Sequence, residues 1–513
     1  MPATTRSTTP SATPRSARTL LRSGLLGLLG LLGLFPAGCS DPEGLPDDRE
    51  AFNLILISLD TCRRDRLSVY GGGKTPCLDA FAAEAVRFED CISQSGITGP
   101  SHLSLLTGQF VHRHGLSENG MRQFPPYTMA SVLADRGWQT AAFTGHGFFQ
   151  EEYGHATGFD TFESWIGEPP TDYPFWRDVA DVVPSALAWL DDHQDDPFFL
   201  VVHGYDPHQP YYPPDPWRTH FAGWYEGKLD TRRMRSPQYR KKIRKGRFGE
   251  DEFRYINDLY DAEVAHADDV LGGFLDELRD RELLDRSIVV FTSDHGEALG
   301  NQGHVGHGAV LDDVLEIPLL IRFPEGRYAA VLDAPTMSID LLPTLLSALG
   351  VVAPEGLQGE NLLPWIRGEA EGPEAERMRV SQTKVTYAVH FGERWKITAR
   401  FKDDTIQAQG LWDLIEDPHE DVNLYHLNEE GEAKYDELLD RFLKWRAETS
   451  ADDLRFRGKS EESNDPESDL RLLEALGYVG DDGSEGDDAS EDGEAGAADG
   501  DLDAYDDYED ASS

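Results

Sequence analysis

An α/β fold with a mainly parallel central sheet flanked by helices, followed by a smaller C-terminal α+β subdomain, is what this 513-residue chain predicts, on three observations. Four short apolar runs end in polar groups: NLILISL before Asp60, TAAFTG before His146, FFLVVHG before Asp206 and His208, and SIVVFTS before Asp294 and His295. Each is too short for a helix and apolar enough for a strand buried on both faces. Between them lie helix-period segments such as Ser131 to Arg136 and Tyr255 to Leu284, and strand–helix alternation implies a parallel sheet wrapped by helices. Beyond Gly350 the texture changes to short alternating stretches such as WKITARF, then a helix from about Glu430 to Ala447. In parallel sheets the ligand sits outside the carboxyl ends of the strands, where the four polar ends would meet.

Taken in order, residues 1–39 read as a secretory signal: Arg15, Arg18 and Arg22 precede GLLGLLGLLGLF, and Pro36, Ala37 and Gly38 lead into Cys39. The small residues before Cys39 resemble a bacterial lipobox, which implies an exported protein of the periplasm or cell envelope, lipid-anchored to the membrane at Cys39. Residues 40–51 read as a tether and 52–350 as the catalytic domain. Cys62, Cys77 and Cys91 show no CxxC or finger spacing; Cys77 and Cys91 could pair, which sequence leaves open.

Asp60 ends the first strand and is followed by a loop with Arg63 and Asp65. In GITGPSHLSLLTG, Pro100 suits the first turn of a helix, which puts Thr98 just before its N-terminus, where backbone N–H groups would stabilise an oxyanion or phosphate. Residues 228–247 carry ten Lys or Arg and one Asp, a basic insertion able to draw in a polyanion or phospholipid. Residues 351–480 form the C-terminal subdomain. The tail 481–513 has fifteen carboxylates and no Lys or Arg, too self-repelling to fold. The net charge of −47, of which −32 lies outside that tail, argues against nucleic acid as a partner.

LDTCRRDRLSVYG, TGPSHLSLLTG, HGYDPHQPYYPP, SDHGEALG and LWDLIEDPHEDVNLY occur in the order seen in the sulfatase family of the alkaline phosphatase superfamily, which the chain resembles over residues 52–480. The resemblance implies a metal-dependent ester hydrolase with an anionic ester substrate, a lipid or a polysaccharide being candidates and its identity left open by the sequence. It also implies one divalent cation held by Asp60, Asp294 and His295, with Thr98 as fourth ligand and nucleophile. His208 and His307 become catalytic candidates; His102, His146 and Arg63 become substrate-binding candidates.

The chain departs from the family where formylglycine is made. The core motif reads Thr98, Gly99, Pro100, Ser101, His102, and threonine cannot be converted to formylglycine by the route that oxidises cysteine or serine. Threonine there is similar to the related nucleotide phosphodiesterases and phosphoethanolamine transferases. Many sulfatases have asparagine after the aspartate and bind calcium, whereas His295 moves the preference towards zinc or manganese. The expected activity is therefore hydrolysis of phosphate or phosphonate esters. An envelope phospho-alcohol transferase, a sulfuric ester hydrolase without formylglycine and a non-catalytic glycan-binding protein are the alternatives.

Overall fold

The computed structural model describes residues 52–145, 148–164, 176–234, 239, 242–243, 245–402, 405–450 and 459–461. The leader with Cys39, the tether, His146, part of the basic insertion, nearly all of 451–480 and the acidic tail lie outside the described residues.

Eight strands form the main sheet: β1 (Asn53–Leu59), β2 (Val86–Phe88), β3 (Gln139–Thr144), β4 (Thr161–Ser164), β5 (Phe198–Gly204), β6 (Ser287–Ser293), β7 (Leu319–Arg322) and β8 (Ala330–Leu332). Their spatial order is β8-β2-β7-β6-β1-β5-β3-β4. Pairing is parallel except where β7 runs antiparallel between β2 and β6. All four apolar runs are therefore strands of one sheet, and the two carrying Asp60 and Asp294 are neighbours at its centre.

The continuous apolar runs are explained by burial on both faces. Alternation along β1 sends Leu54 and Leu56 to one core, with Phe199, Val201 and Leu106, and sends Ile55, Ile57 and Leu59 to the other, with Phe198, Leu271 and Phe274. Full burial of each such side chain contributes about 1.5–3 kcal/mol, so a polar group within these strands needs a partner or a purpose. The second of these cores is closed by α2 (Val179–His193) and α3 (Glu250–Asp280), and the first by α1 (Thr98–Thr107) and α4 (Leu341–Ala348).

Two expectations change in detail. The helix of the core motif begins at Thr98 itself, with Ile97 as its cap, so Thr98 is the first helical residue. Cys62, Cys77 and Cys91 are free thiols, so the pairing left open by the sequence is not made.

Beyond Gly350, β9 (Met378–Thr383), β10 (Thr386–Phe391), β11 (Trp395–Lys402) and β12 (Thr405–Asp413) form an antiparallel meander covered by α5 (Glu429–Ser450). This sheet shares a core with the larger part: Ile92, Phe110 and Ile339 pack with Val380, Val389, Ile397, Tyr435 and Phe442. It also holds the segment that leads into Thr98. Ser381 Oγ donates to the Ser93 carbonyl at 2.5 Å, Gln382 N to the Gln94 carbonyl at 2.8 Å, and Thr383 Oγ1 accepts from Gly96 N at 3.3 Å.

The strongest tie is ionic. Lys396, fully buried on β11, lies 2.6 Å from both Asp312 Oδ1 and Glu420 Oε1. His390 Nε2 meets the same Asp312 oxygen at 2.8 Å. Burial lowers the lysine's pKa, but Asp312 and Glu420 outweigh it and raise the value. Removing one member of a buried ion pair leaves its partners uncompensated. Lys396→Ala is expected to cost about 3–5 kcal/mol of stability, read from denaturant unfolding by tryptophan fluorescence. An unchanged midpoint would show that the cluster does not hold the C-terminal sheet.

Candidate metal centre and catalytic pocket

Parallel pairing of β1 with β6 puts Leu59 opposite Ser293, so Asp60 and Asp294 leave the sheet side by side. Both are buried, as is His295. One ligand atom from each of the three lies within 4.8 Å of the others. Asp294 Oδ1 is fixed by the backbone N–H of Thr61 at 3.1 Å and of His295 at 2.8 Å. Its Oδ2 has no hydrogen-bond partner among the described residues and lies 3.3 Å from His295 Nε2.

These residues fit a divalent cation. His295 Nδ1 donates to the Gly296 carbonyl at 2.9 Å, which leaves the lone pair of Nε2 facing the carboxylates. Burial lowers the His295 pKa, although Asp294 opposes this, and favours the neutral ring a metal needs. Two buried carboxylates with an orphaned oxygen are costly without a compensating charge, and one dication supplies it.

Thr98, at the first turn of α1, places Oγ1 3.5 Å from Asp60 Oδ2 and 3.4 Å from His295 Nε2. The expected oxyanion donors behind it are engaged or missing. Gly99 N donates to Asn119 Oδ1 at 2.9 Å, residue 100 is proline, and Ser101 N bonds the Ile97 carbonyl. Asn119 Nδ2 is instead a buried donor with no partner among the described residues.

His307 and His208 stand where a leaving group could be handled. The His307 ring centroid is 4.7 Å from that of His295 and 4.6 Å from that of His208. Its Nδ1 is 3.2 Å from Oε1 of the buried Glu297. His208 stacks on Tyr205 at 4.3 Å and donates through Nδ1 to the Gln209 carbonyl.

Two of the substrate-binding candidates are buried and engaged within the fold. His102 lies beneath the site, stacked on Phe149, with Nδ1 donating to the Thr98 carbonyl at 2.9 Å and Nε2 3.3 Å from Ser58 Oγ. Burial, outweighing the field of Asp294, pulls its pKa down to about 3, so it positions Thr98 as a neutral ring and carries no charge for an anion. Arg63 is turned into the fold: its guanidinium binds Asp65, Asp313 and the Glu297 carbonyl, all within 2.9 Å. His146 lies outside the described residues.

Sequence reasoning missed His203. Inside β5 it reads as a strand residue, but its Nε2 faces Asp60 Oδ2 at 3.8 Å, while Nδ1 accepts from Gly145 N. Burial pulls its pKa to about 3. Glu297, two residues after His295, was missed as well. So was Thr61, a buried β-branched residue at φ 59°, in the left-handed region. Its strained turn is held by Tyr260, whose hydroxyl donates to the Thr61 carbonyl at 2.6 Å and accepts from Arg63 N at 2.9 Å.

A family model described as Sulfatase matches residues 52–351, more than half of the chain. The chain belongs to the sulfatase family. A second model, for the C-terminal part of N-sulphoglucosamine sulphohydrolase, matches residues 300–448. The N-acetylglucosamine-6-O-sulfatase of Bacteroides thetaiotaomicron is 25% identical over 532 residues, spanning 85% of this chain and 91% of the relative. The multifunctional alkaline phosphatase superfamily protein PehA of Trinickia caryophylli is 25% identical over 62% of this chain and 77% of its own. Among solved structures, the phosphonate monoester hydrolase of Agrobacterium radiobacter superposes with a TM-score of 0.63 at 22% identity, covering 77% of this chain and 96% of that one. A complex with D-glucosamine-2-N,6-O-disulfate gives 0.65 at 21%, covering 79% and 98%. The chain is thus a hydrolase of a superfamily whose members act on sulfate or phosphonate esters and generally bind a divalent metal.

With Nε2 3.8 Å from Asp60 Oδ2, His203 is the ring that adjoins this ligand, and His203→Gln is expected to weaken metal retention about 10–100-fold, measured by chelator competition. Asp294→Asn should abolish stoichiometric retention after dialysis. Equal metal content in wild type and both variants would overturn the assignment of this centre.

Proposed function

We propose that the chain is a metal-dependent hydrolase of phosphate or phosphonate esters with Thr98 as nucleophile. The observation that carries this is the placement of Thr98 Oγ1 within 3.5 Å of both Asp60 and His295. A divalent cation held by Asp60, Asp294 and His295, with zinc or manganese favoured by the imidazole ligand, would act as a Lewis acid and lower the pKa of a neighbouring hydroxyl.

Thr98 Oγ1 attacks phosphorus as its proton passes to Asp60 Oδ2, and the bond to the leaving oxygen breaks. His307, with Nδ1 towards Glu297, gives that oxygen a proton from Nε2. His307 then takes a proton from water, which attacks phosphorus, and the bond to Oγ1 breaks as Asp60 Oδ2 returns its proton to that oxygen. His208 orients the ester oxygens. Fixed positive charge for the anion would come from the cation when bound, with His208 and His307 beside it.

A phosphorus centre is favoured by the nucleophile. Formylglycine releases sulfate because its hydrated aldehyde carries a second hydroxyl that expels the ester oxygen. Threonine has a methyl group in that place, and its sulfate ester could be cleared only by attack of water at sulfur. Sulfate ester hydrolysis is the second reading, supported by the sulfatases among the relatives. We also propose export, on the leader ending at Cys39.

Thr98→Ala should lower turnover of nitrophenyl phosphodiesters and phenylphosphonates by on the order of 10³-fold, while Thr98→Ser, which keeps the hydroxyl, retains a measurable share. Phosphate trapped on Thr98 by acid quench and located by mass spectrometry would identify the covalent step. Sulfate turnover that survives Thr98→Ala would sink the assignment.

The pH profile gives a separate check. His102 and His203, held to about 3 by burial, stay neutral between pH 5 and 8. Any acid limb of kcat/KM in that window then belongs to other groups, and His203→Gln should lower the rate without moving the limb's midpoint. A displaced midpoint would place His203 among the titrating groups.

A further inference from the structure

Beside His208 lies a cavity of about 200 Å³ that the proposed reaction does not use. Three carboxylates line it: Asp178 at the start of α2, Asp206 after β5 and Glu263 in the middle of α3. The rings of Trp176 and Tyr212 complete the wall. Arg232 reaches the rim, but its guanidinium is forked onto Asp230 and lies over the Tyr212 ring at 5.0 Å.

Asp206 is the informative group. It is 2% exposed; Oδ1 accepts from Val179 N at 2.7 Å, and Oδ2 has no hydrogen-bond partner among the described residues. Glu263, also buried, uses Oε1 to accept from Tyr212 N at 2.8 Å. Burial, together with their mutual repulsion, raises the pKa of Asp178 and Glu263, while Asp206 rises to about 6 against its backbone hydrogen bonds. The ionised form of such a cluster is one that a cation would stabilise.

The spacing says which cation. Among the described residues, only Asp60, Asp294 and His295 bring three ligand atoms within metal-binding reach of one another. The carboxylates here stand around a volume, too far apart for one small ion. Aromatic faces beside separated carboxylates suit an organic ammonium, held by cation–π attraction and charge-assisted hydrogen bonds. The orphaned oxygen of Asp206 asks for an N–H donor, which a primary ammonium has and a quaternary one lacks.

The cavity shares His208 with the catalytic pocket, whose next ring is His307 at 4.6 Å. A group seated here is next to the two histidines assigned to the ester. We propose that this cavity binds a primary ammonium group carried by the alcohol portion of the ester, so that the substrate is an amino-alcohol or amino-sugar ester. The inference deepens the hydrolase reading and rests on it for the reaction, but the binding itself can be measured without turnover.

The test compares 2-aminoethyl with propyl esters of the same acid, phosphate and sulfate alike, on metal-loaded full-length protein, with nitrophenyl esters alongside. We expect kcat/KM for the aminoethyl ester to exceed that for the propyl ester at least about tenfold. That ratio should fall towards one in Asp206→Asn and in Glu263→Gln. It is taken within each variant, so loss of folded protein cancels. Ethanolamine binding, followed by calorimetry on the wild type and on Asp206→Asn, provides the readout independent of catalysis.

Nitrophenyl turnover that depends on Thr98, with an aminoethyl to propyl ratio of one and no ethanolamine binding, would overturn the ammonium site and leave the hydrolase standing. Ethanolamine binding lost in Asp206→Asn, with no ester turned over, would do the reverse. Binding of choline as tight as ethanolamine would overturn the primary ammonium, and displacement of ethanolamine by excess manganese alone would overturn the exclusion of a metal.

Discussion

The register of β1 against β6 is the constraint on which the site depends. Leu59 pairs with Ser293, and the chain leaves both strands at the same level, so two carboxylates emerge together from the middle of a hydrophobic sheet. A slip of one residue would turn Asp60 into one apolar core and leave Asp294 without its neighbour. Leu54 to Ile57 on β1 and Ile288 to Phe291 on β6, all core side chains, oppose that slip, and the hydrophobic pattern therefore fixes the position of the metal ligands.

Around this pair the protein commits its fixed positive charge to structure. Arg63 is taken up by Asp65 and Asp313, Arg377 by Asp340, and Lys396 by Asp312 and Glu420. Asp312 and Asp313 are adjacent, so the tie to the C-terminal sheet and the tie to the Arg63 loop meet at one turn. The C-terminal sheet is thereby part of the catalytic architecture. It grips residues 93–96, the approach to Thr98, through three hydrogen bonds.

Much of this was legible in the sequence because buried parallel strands announce themselves as apolar runs. The strands carrying Asp60, Asp206 and Asp294 came out within a residue or two, while the long α3, expected over Tyr255 to Leu284, runs four to five residues earlier at each end. The edge was harder: Val86–Phe88 and Ala330–Leu332 are three residues each, too short for a pattern to stand out from the loops around them. The direction of β7 was equally hidden, since an apolar tetrapeptide reads the same in either orientation. In the site, polar groups at strand ends pointed to a ligand pocket and the family resemblance named Asp60, Asp294 and His295, which the fold brings within reach of one another. What failed were statements about contacts between distant residues. Nothing local says that Asn119 occupies the N–H of Gly99, that Arg63 folds inward onto Asp313, or that a histidine inside an apolar strand faces Asp60. Such pairings belong to tertiary structure, and a histidine in a strand interior carries no mark that separates packing from function.

Tyr260 makes the consequence of such hidden pairings concrete. One hydroxyl, in the middle of a long helix, closes the strained turn after Asp60 by satisfying two backbone groups at once. Phenylalanine would fill the same space and leave both groups buried with nothing to bond. A tally of tolerated substitutions along α3 would therefore find a conservative aromatic exchange rejected far along the chain from the turn it serves. Divergence within such a fold is limited as much by side chains that hold the backbone in an uncommon conformation as by those that meet the substrate.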